Sequence, residues 1–239
     1  MTQYLYAIVE RLPARWRPPT AGIAGASVVP RRFDDFVVLS SLLGSVPIAS
    51  PRTLAVHQDV VATVVDASAT LPFRYGTGVP AADFQDWLAR YRATVTAALA
   101  TVRGCVEMTV KLLRLDGALA HQLAGRGGDT RARYTPSDPG EDEFQGLAEA
   151  LAERAALAQW RYCPSGSAGN VAAAVTFLVP RVDLAGFLAR IAPVASHAAG
   201  VAVVTTGPWA PYSFVPDLGR APLTRIPPGP FDVVRRRAG

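Results

Sequence analysis

Short apolar runs bounded by turn-forming residues fill the first quarter of the chain. Residues 4–9 (YLYAIV) predict a buried strand, and a proline-rich loop follows. Residues 27–29 and 36–42 predict two further strands, joined by a turn at 31–35. Apolar runs of only a few residues favour strands over helices. The chain is therefore expected to begin with a strand and a β-hairpin.

Two helices are predicted in the next part of the chain. Ser50 and Pro51 form a typical helix start, with a hydroxyl at the N-cap and a proline at the first helical position. Apolar residues then recur at helical spacing, and this helix is expected to end by Ala69. A longer helix is predicted at 81–103, with an apolar face made of Phe84, Trp87, Leu88, Tyr91, Val95, Ala98, Leu99 and Val102.

Strands are predicted at 71–75 and 106–113, and they complete the first half of the chain. The strand at 106–113 is predicted from its alternation of apolar and polar residues. The predicted order is a strand, a β-hairpin, a helix, a strand, a helix and a strand. Helices that return repeatedly to one sheet are typical of an α+β sandwich. We expect an N-terminal ferredoxin-like domain at residues 1–124.

The second half of the chain predicts a smaller α+β domain. Residues 125–140 are rich in Gly, Arg, Asp and Pro without an apolar period, which is typical of a linker. The domain is expected at 141–215, and a Pro-rich basic tail at 216–239 is expected to be extended. The predicted elements of this domain are helices at 144–160 and 182–195 and strands at 171–178 and 201–205.

Composition and charge narrow the classes of partner. With 50% hydrophobic and 18% charged residues, the chain can bury a core and should not be disordered overall. The net charge of +5 comes from scattered arginines, apart from the cluster at 235–237, and no nucleic-acid-binding motif is present. The longest apolar stretch, 191–204, is too short and too polar to span a membrane, and no export signal is found. We expect a soluble cytoplasmic protein with no nucleic-acid or membrane partner.

Four polar residues in apolar surroundings are candidates for chemistry: His57, Arg74, Glu107 and Lys111. No Cys or His stands at ligand spacing from His57, so a hydrogen bond across a helix–sheet interface is favoured over a metal or catalytic role. The other three residues lie in predicted strands, where a cross-strand ion pair is favoured over a substrate site. The alternative is an enzyme that uses His57, Arg74 and Glu107, and it requires the three side chains to converge in one pocket.

Motifs for nucleophilic catalysis, metal binding and phosphate binding are lacking. The glycine-rich GRGGD at 125–129 has no preceding strand and no following Lys-Ser or Lys-Thr pair. We therefore expect no catalytic residue, no metal and no cofactor.

The segment at 207–215 is the strongest candidate for binding. Pro208 and Pro211 stiffen its backbone, and the aromatic side chains of Trp209, Tyr212 and Phe214 lie along it. Stiff aromatic anchors lose little entropy on docking. The same segment would also serve to join the C-terminal half to the N-terminal domain. Both interpretations stay open at this point.

Three stretches of the chain resemble the gas vesicle protein L/F family. They are the N-terminal YLYAIVE, the central block from HQDVVATVV through LPFRYGT to GCVEMTVKLL, and the C-terminal VTTGPWAPYSFV. Together they span most of the chain in the family's order, and the last is specific. Tyr75 stands where the family usually has Phe, and Ala210 where it usually has Pro.

The resemblance implies an accessory or minor structural protein of gas vesicles, the gas-filled protein shells that give microbes buoyancy. It implies binding to the main shell protein, and to other gas vesicle accessory proteins, without any reaction or cofactor. The expected contact surfaces are the segment with Trp209, Pro211, Tyr212 and Phe214, the outer faces of the long helices and any open sheet edge. The rival interpretation is a regulatory module that binds a small molecule.

Overall fold

A buried central strand, β1 (Thr2–Val9), organises the first of two sheets in the computed structural model. All of its residues from Gln3 to Val9 are buried. This matches its sequence, which lacks the polar alternation of a strand with one solvated face. The other strands of this sheet are β2 (Val29–Arg32), β3 (Val37–Leu43), β4 (Thr70–Pro72) and β5 (Gly78–Pro80).

The first sheet has the order β2-β3-β1-β4, and β5 also pairs with β1. All of these pairs are antiparallel. β4 pairs with β1 at Ala7–Val9, while β5 pairs with β1 at Thr2–Tyr4. Two short strands therefore share one edge of β1. The Phe73 N–H and the Thr77 carbonyl still bond to β1, and residues 74–76 between them leave the sheet.

Two helices accompany this sheet. Helix α1 (Pro51–Ala62) begins with a capping box, in which Ser50 and Thr53 each accept a hydrogen bond from the other's backbone N–H. α1 packs against β1, and α2 (Phe84–Val102) packs against β4 and β5. The core beside α1 contains apolar side chains of β1, β3 and α1 together with Tyr75 and Ala210.

The second sheet has the order β7-β8-β6-β9. Its elements are β6 (Cys105–Arg114), α3 (Glu141–Ala155), β7 (Trp160–Pro164), β8 (Val171–Pro180), α4 (Leu184–His197) and β9 (Val201–Trp209). Apolar side chains of α3, β8 and α4 fill the core, with Phe177 and Phe187 in ring contact at 5.3 Å between centroids. The succession βαββαβ with this strand order is the ferredoxin-like arrangement.

The structure describes residues 1–114, 141–164, 171–197 and 201–219. They divide into two compact units, one of Met1–Glu107 with the described part of the segment from Pro208 onward, and one within Met108–Gly207. The predicted linker at 125–140, the GRGGD sequence and most of the predicted tail lie outside the described residues. The predicted domain boundaries remain predictions.

The predicted α+β class is confirmed, but several elements differ from the sequence-based expectation. The ferredoxin-like succession, expected within residues 1–124, is instead formed by β6 to β9 with α3 and α4, because β6 joins the second sheet. Alternation of apolar residues reveals a strand but not which sheet it enters. The predicted helix at 144–160 ends at Ala155, and Trp160 starts β7 instead. The predicted strand at 71–75 ends at Pro72, and β5 was not predicted.

Replacing Ser50 by alanine should lower the free energy of unfolding by about 1 kcal/mol, because the first turn of α1 loses its side-chain cap. Chemical denaturation measures this change. Ser45→Ala is the matched control, since Ser45 is exposed outside any helix, and it should stay within about 0.5 kcal/mol of the wild type. Equal effects of the two substitutions would contradict the capping assignment.

Candidate functional site

His57 lies at the centre of a buried hydrogen-bonded network in the first unit and is only 2% exposed. Its Nε2 lies 2.8 Å from the Phe73 carbonyl oxygen, which can only accept, so Nε2–H is the donor. Its Nδ1 lies 2.8 Å from the Tyr4 hydroxyl. Because the neutral ring has one donor and one acceptor, Nδ1 accepts from Tyr4. The backbone N–H of Gly76 in turn donates to the Tyr4 hydroxyl oxygen.

These bonds explain how residues 74–76 can leave the sheet between β4 and β5. The Phe73 carbonyl is satisfied by His57 and the Gly76 N–H by Tyr4, so neither backbone group is left unpaired in the interior. Gly76 has a φ of 84°, a conformation that favours glycine at this turn. The FRYGT sequence thus forms a bulged loop that α1 and β1 hold through side chains.

Tyr6 carries a parallel chain of hydrogen bonds on β1. Ser41 Oγ donates to the Ser27 carbonyl, so the Tyr6 hydroxyl donates to Ser41 Oγ at 3.0 Å. The Tyr6 oxygen accepts from the backbone N–H of Ile23. Buried polar groups that are fully hydrogen-bonded rigidify a core and specify its arrangement. The two tyrosines therefore fix loops on either side of β1.

Burial controls the ionisation of this network. Desolvation lowers the pKa of His57 to about 4, only partly offset by the hydrogen bond to the Phe73 carbonyl. Desolvation likewise raises the pKa of Tyr4 and of Tyr6. His57 is therefore neutral at physiological pH, and both of its ring nitrogens are occupied, which leaves neither available as a base or metal ligand.

The aromatic segment of residues 207–215 has both buried and exposed side chains. Ala210 and Pro211 are buried, and Tyr212 packs against the same core that contains His57's neighbours. Trp209, in contrast, is 52% exposed. The turn at Tyr212–Phe214 is closed by a hydrogen bond from the Phe214 N–H to the Pro211 carbonyl. The segment therefore combines an internal anchor with an exposed indole.

Glu107 holds this segment through two hydrogen bonds. The Ser213 backbone N–H donates to Glu107 Oε2 at 2.7 Å, and the Ser213 hydroxyl donates to Oε1 at 3.0 Å. Burial raises the pKa of Glu107, while the Ser213 bonds and the positive charge of Arg74 act in the opposite direction. Burial, and secondarily the charge of Glu107, raise the pKa of Tyr212. We call this pairing of Glu107 and Ser213 the carboxylate clasp.

The remaining candidate residues occupy different surroundings. Arg74 is exposed at the bulged loop, and it acts on Glu107 through its charge. Lys111 is half-buried on β6 within the second unit. The hydrogen bonds of His57 and those of Glu107 have no partner residue in common among the described contacts. The described residues also contain no His, Cys, Asp or Glu cluster that could hold a metal ion.

A second anchor, which was not predicted from the sequence, follows the aromatic segment. Trp87 Nε1 on α2 donates to the Leu218 carbonyl at 3.0 Å in a buried hydrogen bond. Gly219 has a φ of 67°, and a Cβ at this position would collide with the Tyr91 hydroxyl. The apolar face of α2 indicated burial of Trp87, but nothing in the sequence indicated its partner.

The fold and the site define an α+β protein. Within the residues that the structure describes, its candidate site is a hydrogen-bonded aromatic segment and not a cluster of catalytic groups. None of the helices within the described ranges has the length and apolar character that crossing a membrane requires. The chain belongs to the GvpL/GvpF family: the family model described as "Gas vesicle synthesis protein GvpL/GvpF" matches residues 2–216.

Solved structures agree with this assignment at the level of the fold. The chain is similar to the crystal structures of gas vesicle protein GvpF from Microcystis aeruginosa and from Anabaena sp. PCC7120. Both comparisons give a TM-score of 0.66 at 17% identity and cover 90% of this chain. They cover 99% and 98% of the two GvpF chains, respectively. No curated protein matches the chain in sequence.

Replacing Glu107 by alanine should lower the free energy of unfolding by about 2 kcal/mol, because it leaves the Ser213 N–H without its acceptor. Hydrogen exchange at residues 210–214 should become faster. Glu10→Ala is the matched control, since it removes a carboxylate that is paired with Arg103 at the surface, and it should cost less than about 1 kcal/mol. Unchanged exchange at 210–214 would contradict the role of the carboxylate clasp.

His57 should make the protein less stable as the pH falls from 6.5 towards 4. Its folded pKa of about 4 is below the unfolded value of 6.5, so the unfolded chain binds the proton first. The wild type should lose about 3 kcal/mol more than His57→Gln over this interval. Glu107, with its raised pKa, acts in the opposite direction in both proteins, so the difference between them isolates His57. Parallel pH profiles would refute the assignment.

Proposed function

We propose that this protein acts in gas vesicle assembly, or as a minor structural component, by binding the main gas vesicle shell protein through Trp209. Membership of the GvpL/GvpF family supports a gas vesicle role. The observation that carries the binding role is the exposure of Trp209 on a segment whose following residues are buried and hydrogen-bonded. We place the protein in the cytoplasm at gas vesicles, where other gas vesicle accessory proteins are further partners.

The physical argument rests on preorganisation. A tryptophan contributes a large contact area at low entropic cost, and such residues dominate binding energy at many interfaces. The backbone beside Trp209 is restricted by Pro208 and Pro211, and Ser213 is held by Glu107. Little ordering is therefore left to be done when a partner docks, so more of the contact energy contributes to affinity.

The other candidate residues of the segment are Pro211, Tyr212 and Phe214. Tyr212 packs against the core of the first unit, and Pro211 is buried. Phe214 is half-buried. We infer that Pro211 and Tyr212 hold the segment in place, and that Trp209, with the exposed part of Phe214, meets the partner.

The geometry gives the enzyme alternative no support. His57 is buried with both ring nitrogens occupied, and Glu107 is bound to Ser213, so neither side chain meets a substrate in the described conformation. Binding without turnover is therefore our proposal for the mechanism.

The small-molecule alternative has one observation in its favour. A cavity of about 810 Å³ lies in the first unit and is bordered by Arg11, Trp16, Arg32 and Phe33. Small-molecule sites of this size are usually apolar and enclosed. This cavity is lined instead by charged residues that include Glu10 and Asp35, whose carboxylates are paired with Arg103 and Arg92. A metabolite that raised the melting temperature in a saturable way would support this alternative.

Trp209→Ala should weaken binding to the main shell protein at least about tenfold, the loss typical of an anchoring tryptophan. The measurement is co-purification or titration with the shell protein, with folding verified by circular dichroism. Ile48→Ala is the matched control, because Ile48 is an 85% exposed apolar side chain of the same unit. Wild-type binding by Trp209→Ala would remove this residue from the interface.

A further inference from the structure

The outer edge of β9 carries no partner strand among the residues that the structure describes. β9 is the last strand in the order β7-β8-β6-β9, so β6 pairs with only one of its edges. The other edge presents a row of backbone N–H and C=O groups. An edge of this kind is a template for pairing with a further strand.

The sequences of the edge strands in the first sheet oppose pairing with a further strand. β2 contains Pro30, Arg31 and Arg32, and exposed charges and prolines on an edge oppose pairing. β4 and β5 are three residues long, and each ends in a proline, Pro72 or Pro80. None of these three strands offers a long row of free donors and acceptors.

The sequence of β7, at the opposite edge of the second sheet, also opposes pairing with a further strand. It is five residues long and contains Arg161 and Pro164. The Arg161 guanidinium donates to the Trp160 carbonyl at 2.9 Å, so one carbonyl of this strand already has a side-chain donor. β7 therefore also has the features that protect an edge from pairing.

β9 lacks all of these features over residues 201–206. Its sequence there is VAVVTT, with neither charge nor proline, and Gly207 and Pro208 come only at its end. Val204 is 40% exposed, and its neighbours in residues 202–206 are half-buried. A run of β-branched, uncharged residues without proline is the composition that favours strand pairing.

We propose that β9 binds an extended, uncharged strand of the main gas vesicle shell protein by β-sheet addition. The proposal rests on the proposed function and identifies the backbone surface on which the shell protein would pair. Main-chain hydrogen bonds supply the affinity in this mode, and side chains such as Val204 select an apolar partner strand. The absence of charge along 201–209 favours an uncharged strand, because a charged one would find no counter-charge on β9.

Hydrogen exchange of the wild-type protein with and without the main shell protein tests this proposal. In the free protein, the amides of 201–206 that face away from β6 should exchange fast. In the complex, about half of the amides in this stretch should become at least tenfold slower, because successive residues of a strand point their N–H groups to opposite sides. Bound shell protein with unchanged exchange at 201–206 overturns the proposal and leaves the proposed function standing.

Two other outcomes would also contradict the proposal that β9 binds a strand of the shell protein. If the shell protein does not bind at all, the proposed function fails and this proposal fails with it. If the slow amides appear on raising the concentration of this protein alone, the occupant is a second copy of the chain, which overturns the proposal.

Substitutions give a second, independent readout. Ala202→Pro and Val203→Pro each remove one backbone N–H, and only one of these two N–H groups faces β6. The variant that removes the N–H facing away from β6 should still fold. That variant should bind the shell protein at least tenfold more weakly. Val204→Lys should also weaken binding, whereas Val182→Lys, at a 98% exposed position of the same unit, should not. Wild-type affinity in the folded proline variant overturns the proposal.

Discussion

The buried carboxylate of Glu107 is the constraint on which the candidate site depends. A buried charge is costly unless hydrogen bonds replace its hydration, and here the Ser213 N–H and hydroxyl supply two of them. Both donors belong to one residue, so the clasp fixes the backbone of the segment as well as its distance from β6. The buried Pro211 and the packed Tyr212 then leave Trp209 at the surface.

The network around His57 provides the frame behind this segment. It ties α1, β1 and the bulged loop together through bonds in which each donor and acceptor has a defined role. Because His57 is neutral in this arrangement, the network adds no charge to the core. A rigid frame of this kind suits a protein that works by presenting a surface, since binding is stronger when little has to be ordered on contact.

The sequence predicted what depends on local pattern and missed what depends on tertiary partners. Ser50 and Pro51 marked the start of α1, and the apolar face of α2 was clear from its period. The ring neighbours of His57 and the acceptor of the Trp87 N–H come from residues distant in sequence, so no spacing could reveal them. Glu107 stood out as a charge in a strand, but its partner proved to be Ser213, within the aromatic segment itself.

A double-mutant cycle on shell-protein binding tests whether Glu107 presents Trp209 to the partner. If Glu107 acts by holding the segment, Glu107→Gln should weaken binding in the wild-type background, because the amide cannot accept both Ser213 donors as well as a carboxylate does. In the Trp209→Ala background the same substitution should have little further effect, because the presented side chain is already gone. Additive losses, or wild-type binding by Glu107→Gln, would show that Glu107 does not act through Trp209.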